Sequence, residues 1–202
     1  MKVVVVVCSL LLAQLATAQY EEEPDELAPY ESIRTGDGYE VRMYPQTKWV
    51  CHHYDQANFS PRKQKKSFFA LFRYITGSNE QDLEIPMTAP VTMLLKKESS
   101  GMKRFQMCFY LPEAHQVSPP LPTNAEVYIE DRPSMTVFTR TFGGFARRKS
   151  VWENEAKQLQ NVLLKAGEAN VDFSSFYSAG YNSPMKFENR RNEVWFMMKD
   201  GR

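Results

Sequence analysis

The chain has 202 residues, enough for one domain with a core of its own. Its 25 basic and 24 acidic residues nearly cancel. Phosphate binding needs a surplus of Lys and Arg, so nucleic acid is excluded as an expected partner. The three cysteines and three histidines fall at no metal-ligand spacing. No G-x-S-x-G, P-loop or G-x-G-x-x-G motif points to an enzyme.

The N-terminus reads as a secretory signal peptide over residues 1–18. Lys2 is a short positive region, Val3 to Leu15 an apolar run broken by Ser9 and Gln14, and Ala16-Thr17-Ala18 a small-x-small cleavage site. The run is too short to span a bilayer, and no second one of spanning length follows. The mature chain is expected to begin near Gln19, to be secreted, and to meet an extracellular, oxidising environment. Removing Lys2 with the signal leaves 24 charges of each sign. Cys8 leaves as well, so Cys51 and Cys108 remain. An even pair in a secreted chain suggests a disulfide, which requires adjacent strands with both side chains on one face. The alternative is two buried free thiols.

Residues 19–29 (QYEEEPDELAP) are acidic and have little to bury, and they read as a flexible leader. The folded domain is expected over 30–202. Within it two halves share a pattern of strand, strand, helix, strand, strand, with Pro45 aligned on Pro133. The first half has strands at 39–45, 48–54, 91–96 and 105–111, and the second at 127–133, 135–142, 176–181 and 193–199. The first helix starts at the N-cap Ser60 with Pro61 in its first position. Phe68, Phe72 and Ile75, with Phe69 and Leu71 beside them, are expected to face the core. The second helix shows a capping box, Ser150 to Glu153, then the stripe Trp152, Ala156, Leu159 and Leu163, and a stop at Gly167. This predicts an α+β fold, two ββαββ units sharing one curved antiparallel sheet or barrel with two helices packed on it. Asn58-Phe-Ser60 is a glycosylation sequon followed by Pro61.

Four stretches carry a family resemblance: Y-E-V-R-M-Y-P (39–45) with K-W-V (48–50); I-P-M-T-A-P-V (85–91); V-Y-I-E-D-R (127–132) with M-T-V-F (135–138); and A-G-Y-N-S-P-M (179–185) with N-R-R-N-E-V-W (189–195). The chain resembles the SOUL/haem-binding protein family, closer to the second of its two vertebrate types. The resemblance implies a twisted β-barrel of two pseudo-repeated halves. It also implies a non-catalytic protein that binds haem, or a related porphyrin, in an apolar groove. Some relatives carry a proposed haem-ligating His at the position of Met43, and a thioether can also ligate haem iron.

The residues supply further candidates. His52 and His53 are neighbours on a strand, so they face opposite sides: Trp49, Cys51 and His53 share one, and Val50, His52 and Tyr54 the other. At most one of them can serve as an iron ligand in a given pocket. Arg62, Lys63, Lys65 and Lys66 crowd the first turns of a helix, where cations oppose the macrodipole. Such a cluster suits an anion such as haem propionates or a lipid headgroup. A buried carboxylate, Glu84 or Glu130, would be the feature of an enzyme on this fold. The alternative to a haem carrier is a protein- or lipid-interaction module, and Leu163-Leu-Lys-Ala-Gly-Glu168 resembles the core of a pro-apoptotic ligand helix.

Overall fold

The computed structural model describes residue 24 and residues 26–56, 60–97 and 103–199. The expected signal peptide over 1–18 and the sequon residue Asn58 lie outside them. The described chain forms β1 (Glu26–Leu27), β2 (Glu31–Gly36), β3 (Tyr39–Tyr44), β4 (Thr47–Gln56), α1 (Pro61–Ile75), β5 (Thr88–Ala89), β6 (Val91–Lys97) and β7 (Lys103–Tyr110). It continues as β8 (Val127–Arg132), β9 (Met135–Phe142), α2 (Lys149–Lys165), β10 (Val171–Gly180) and β11 (Asn192–Met198). Nine strands make one antiparallel sheet in the order β2-β3-β9-β11-β10-β6-β7-β4-β8. This is the expected α+β class, but the sheet is open, because its end strands β2 and β8 do not pair. β2 instead runs as a largely exposed edge beyond β3. Exchanging β3, β4, β6 and β7 for β8, β9, β10 and β11 turns the order from β3 to β8 into its own reverse.

The fold begins ahead of Tyr30. Glu26–Leu27 pairs in parallel with Thr88–Ala89, and the buried Ala28 donates its N–H to the Ala89 carbonyl at 2.8 Å. The expected flexible leader is therefore corrected at its C-terminal end, where a small apolar residue finds a place in the core.

Alternation along the strands sorts side chains onto two faces. One face gathers Trp49, Cys51, Tyr110, Tyr177 and Trp195 into a buried cluster. Cys51 and Cys108 stand in register across β4 and β7, with Cα atoms 4.2 Å apart, and are joined by a disulfide. The other face carries the helices, α1 over β4 and β7 and α2 over β9 and β11.

Ser60 caps α1 through its hydroxyl, which accepts from the Lys63 N–H at 3.4 Å, and Pro61 opens the helix. Its buried stripe is Ser67, Ala70, Leu71, Tyr74 and Ile75, so the helix is rotated from the expected stripe. Phe69 and Phe72 are exposed, at 44% and 39%. The rotation is possible because the two polar members are satisfied: Ser67 Oγ lies 3.0 Å from His52 Nδ1, and the Tyr74 hydroxyl donates to the Pro120 carbonyl at 2.8 Å. In α2, Ala156, Leu159 and Leu163 are buried as expected. The capping box is absent: the helix begins two residues earlier, its N-cap is Arg148 with no side-chain cap, and Glu153 pairs with Lys149. Leu163 is fully buried and Glu168 is held by Arg34 and the Tyr39 hydroxyl, so the segment resembling a ligand helix is committed to the fold.

The rotation of α1 predicts opposite outcomes for two adjacent residues. Leu71→Ala should lower the unfolding free energy by about 2–5 kcal/mol, and Phe72→Ala by less than about 1 kcal/mol, as measured by urea denaturation. Equal losses would contradict the orientation described.

Candidate functional site

Between the two helices the sheet is uncovered, and the gap is a groove of about 670 Å³. Its floor comes from alternate residues of the central strands, Val91 and Met93 on β6, Met107 on β7, and Phe176, Ser178 and Gly180 on β10. The floor is apolar because these residues share the face that buries Phe109 and Leu71 nearby. β10 slips register against β11 between Asp172 and Tyr177, just ahead of the stretch in which Phe176, Ser178 and Gly180 alternate onto the floor. At Gly180 an added Cβ would meet no atom within 4 Å, so this position opens directly onto the cavity.

The walls follow from the helix orientations. With Ser67, Leu71 and Tyr74 turned to the sheet, α1 presents Gln64, Lys65 and Phe68 to the groove. Gln64 Nε2 donates to Met93 Sδ at 2.7 Å. α2 presents Lys149 and Trp152. The loop ahead of α2 is pinned twice: Trp152 Nε1 donates to the Ala146 carbonyl at 2.8 Å, and Asn192 Nδ2 to the Gly144 carbonyl at 2.9 Å.

The residues singled out from sequence do not converge here. Met43 lies on β3, four strands from β6 in the sheet, and does not line the groove. His53 is exposed on the face away from the helices, its ring 5.3 Å from that of Tyr128. His52 is buried beneath α1, against Ser67. His115 ends a 3-10 turn. None of the three histidines lines the groove. Of the basic cluster, Lys65 alone does. Lys66 pairs with Glu126 at 2.8 Å, Lys63 lies over the Tyr54 ring at 5.2 Å, and Arg62 is exposed. The sequence did not mark Phe68, Gly180 and the loop before α2 as neighbours of one groove, since strand alternation alone does not say which part of a face the helices leave bare.

Neither candidate carboxylate is an isolated buried acid. Glu84 is exposed. Glu130 accepts from Arg132 Nε at 3.0 Å and from Gln106 Nε2 at 2.8 Å. It also lies 3.4 Å from Cys51 Sγ. Cys51, Cys108 and Glu130 are close enough to hold a metal, but the disulfide leaves no thiolate to bind one. Among the described residues the buried acid is Glu193, which the sequence marks only by its place in the N-R-R-N-E-V-W stretch. It is fully buried and accepts from Arg42, Arg191, Tyr181 and Trp195 at 2.6–2.9 Å. Burial alone would push its carboxyl up, but Arg42 and Arg191 hold it below the ordinary value.

A family profile described as SOUL heme-binding protein matches residues 25–197. Heme-binding protein 2 of Homo sapiens is 37% identical over 190 residues, covering 93% of this chain and 91% of its own. Heme-binding protein 1 of Bos taurus is 33% identical over 129 residues, covering 63% of this chain and 66% of its own. Among solved structures, the EcmrR C-terminal domain matches with a TM-score of 0.54 at 14% identity, covering 84% of this chain and 98% of that one. That is a likeness of fold alone.

His52 gives the groove wall a pH dependence. Burial holds its imidazole below the ordinary value, with the Glu126 carboxylate, 3.7 Å from Nε2, acting in the opposite direction. An unfolded chain takes up the proton near pH 6.5, while the folded one resists it. The unfolded state then binds more protons, so this contribution is intact above about pH 6.5 and is lost as pH falls toward the lower folded value. The urea midpoint should therefore fall between about pH 7 and pH 5, and His52→Asn should flatten that fall. An unchanged slope in the variant would refute the assignment.

Proposed function

Because the chain belongs to the SOUL heme-binding protein family, we propose that it is a secreted, non-catalytic binding protein for haem or a related tetrapyrrole. The groove between α1 and α2 is the site. The observation that carries this reading is the groove itself, whose volume lies within the range of small-molecule sites, about 300–1,000 Å³. A planar apolar ring would lie on Met93, Met107 and Phe176 and against Phe68, with Gly180 leaving room where any other residue would place a side chain. Methionines suit such a surface because they adapt their shape. Bound haem would supply its iron centre, but no imidazole faces the groove to ligate it. Affinity then comes from burial and charge, and iron-free protoporphyrin should bind comparably.

Secretion is supported by the sequence of residues 1–18 and by the Cys51–Cys108 disulfide, a bond that persists in oxidising compartments. The strand order, which reverses when the halves are exchanged, supports a fold built from a repeated ββαββ unit.

The test fills the groove from its floor. Gly180→Phe should weaken both haem and protoporphyrin at least about tenfold, with unfolding free energy changed by no more than about 1 kcal/mol, since its Cβ enters open space. Met43→Ala and His53→Ala should leave both ligands unaffected, read by absorbance and fluorescence titration. Loss of haem but not protoporphyrin in His53→Ala would place the ligand on the other face of the sheet. Absence of saturable binding by either ligand would favour the interaction module.

A further inference from the structure

The groove is not electrically uniform. Its lining includes four cations, Lys65, Arg147, Lys149 and Arg190, against one carboxylate, Glu153. Lys149 takes that carboxylate. Arg147 and Arg190 make no ion pair among the described residues, yet they share one aromatic ring. Their Cζ atoms lie 4.6 Å and 4.7 Å from the Phe145 centroid. Two like charges gathered on a single ring repel each other, and burial together with Arg147 disfavours the charged form of Arg190. Stacking on Phe145 offsets part of that cost.

The arrangement is held in place. Arg190 donates through Nη1 to the Ser183 and Lys186 carbonyls, both at 2.6 Å, and through Nη2 to the Asn182 carbonyl at 3.2 Å. Its Nε is buried with no partner. Arg147 follows Ala146 in the pinned loop and makes no side-chain hydrogen bond among the described residues. Directly after it, α2 starts with neither a side-chain cap nor an acid in its first turn, so the positive end of a 17-residue helix adds to the same region. An uncapped helix end, two guanidinium groups without acids and an unpartnered buried N–H therefore meet at one end of an apolar groove.

We propose that Arg147 and Arg190, stacked on Phe145 ahead of α2, form a carboxylate seat, so that the groove takes an anionic amphiphile whose acidic groups lie at this end. Resting on the tetrapyrrole reading above, the seat assigns the propionates to the loop before α2 rather than to the Arg62–Lys66 cluster. A guanidinium matches a carboxylate with two parallel donors, and two of them match a ligand carrying two acids.

The test uses three probes in fluorescence titrations: protoporphyrin IX, its dimethyl ester, and the apolar sulfonate 8-anilinonaphthalene-1-sulfonate. Wild type should bind the diacid more tightly than the ester. Arg147→Gln should weaken the diacid and the sulfonate about three- to tenfold, leave the ester unchanged, and leave the melting temperature unchanged. Arg147→Lys should retain much of the diacid affinity. Arg190→Gln also loses the loop carbonyl bonds, so Arg147 is the deciding position. Equal effects on diacid and ester, or no effect on the diacid, would overturn the seat. If the sulfonate binds and is weakened by Arg147→Gln while no porphyrin binds wild type, the seat stands and the tetrapyrrole reading falls. If no probe binds wild type, both fall.

Discussion

A helix is about 10–12 Å across and strands lie about 4.8 Å apart, so two helices cannot cover nine strands. α1 settles over β4 and β7, and α2 over β3, β9, β11 and β10. The strands between them, β6 and the start of its pairing with β10, are left bare. That pairing is short, from Tyr177↔Leu94 to Gly180↔Val91, and it joins the two halves of the sheet. The groove is therefore a consequence of fitting two helices to a sheet too wide for them. Its floor is apolar because it continues the surface that the helices bury on either side.

A single motif ties this groove to the opposite face. Along Arg190-Arg191-Asn192-Glu193-Val194-Trp195 the side chains alternate. Arg191, Glu193 and Trp195 enter the buried network, in which Arg191 also lies over the Tyr181 ring at 4.0 Å. Arg190 and Asn192 reach the groove and hold the loops around it. Removing one partner of a buried charge is far costlier than the pair is worth, so the Glu193 network strongly specifies the register of β11. That register in turn sets where Arg190 and Asn192 stand. The network acts on the site through position, not through contact with a ligand.

These dependencies explain what could be read from the sequence. Ser60-Pro61 marked a helix start because capping is local chemistry, and the alternation Trp49 to Tyr54 sorted the faces of β4 because a strand has a period of two. The orientation of α1 was not legible from apolar spacing. Ser67 and Tyr74 join the buried stripe where His52 and the Pro120 carbonyl meet them, partners outside the helix, with the Lys63 carbonyl also accepting from Ser67. The capping box at Ser150 failed for a similar reason: Glu153 has a nearer partner in Lys149. The basic run Arg62 to Lys66 looked like an anion site as a string, yet the rotation that buries Leu71 leaves Lys65 alone in the groove. Of the other cations lining the groove, Arg190 falls in the N-R-R-N-E-V-W stretch, but no pattern there marks it as facing a ligand, and Arg147 and Lys149 precede α2 without any such signal.

The distribution of histidines bears on selectivity. An axial imidazole would make a site select for iron. Here the imidazoles are withheld, one beneath α1, one on the far face and one on a turn. What remains to discriminate ligands is shape, apolar area and charge. Apolar area is permissive, because Met and Phe surfaces accept many flat molecules. Charge is less permissive: a carboxylate at the loop before α2 relieves the repulsion between Arg147 and Arg190, whereas a neutral group there leaves two cations desolvated and unpaired. A floor that tolerates variety and an end that demands an acid would together select for the substituents of the ring and not for the metal at its centre.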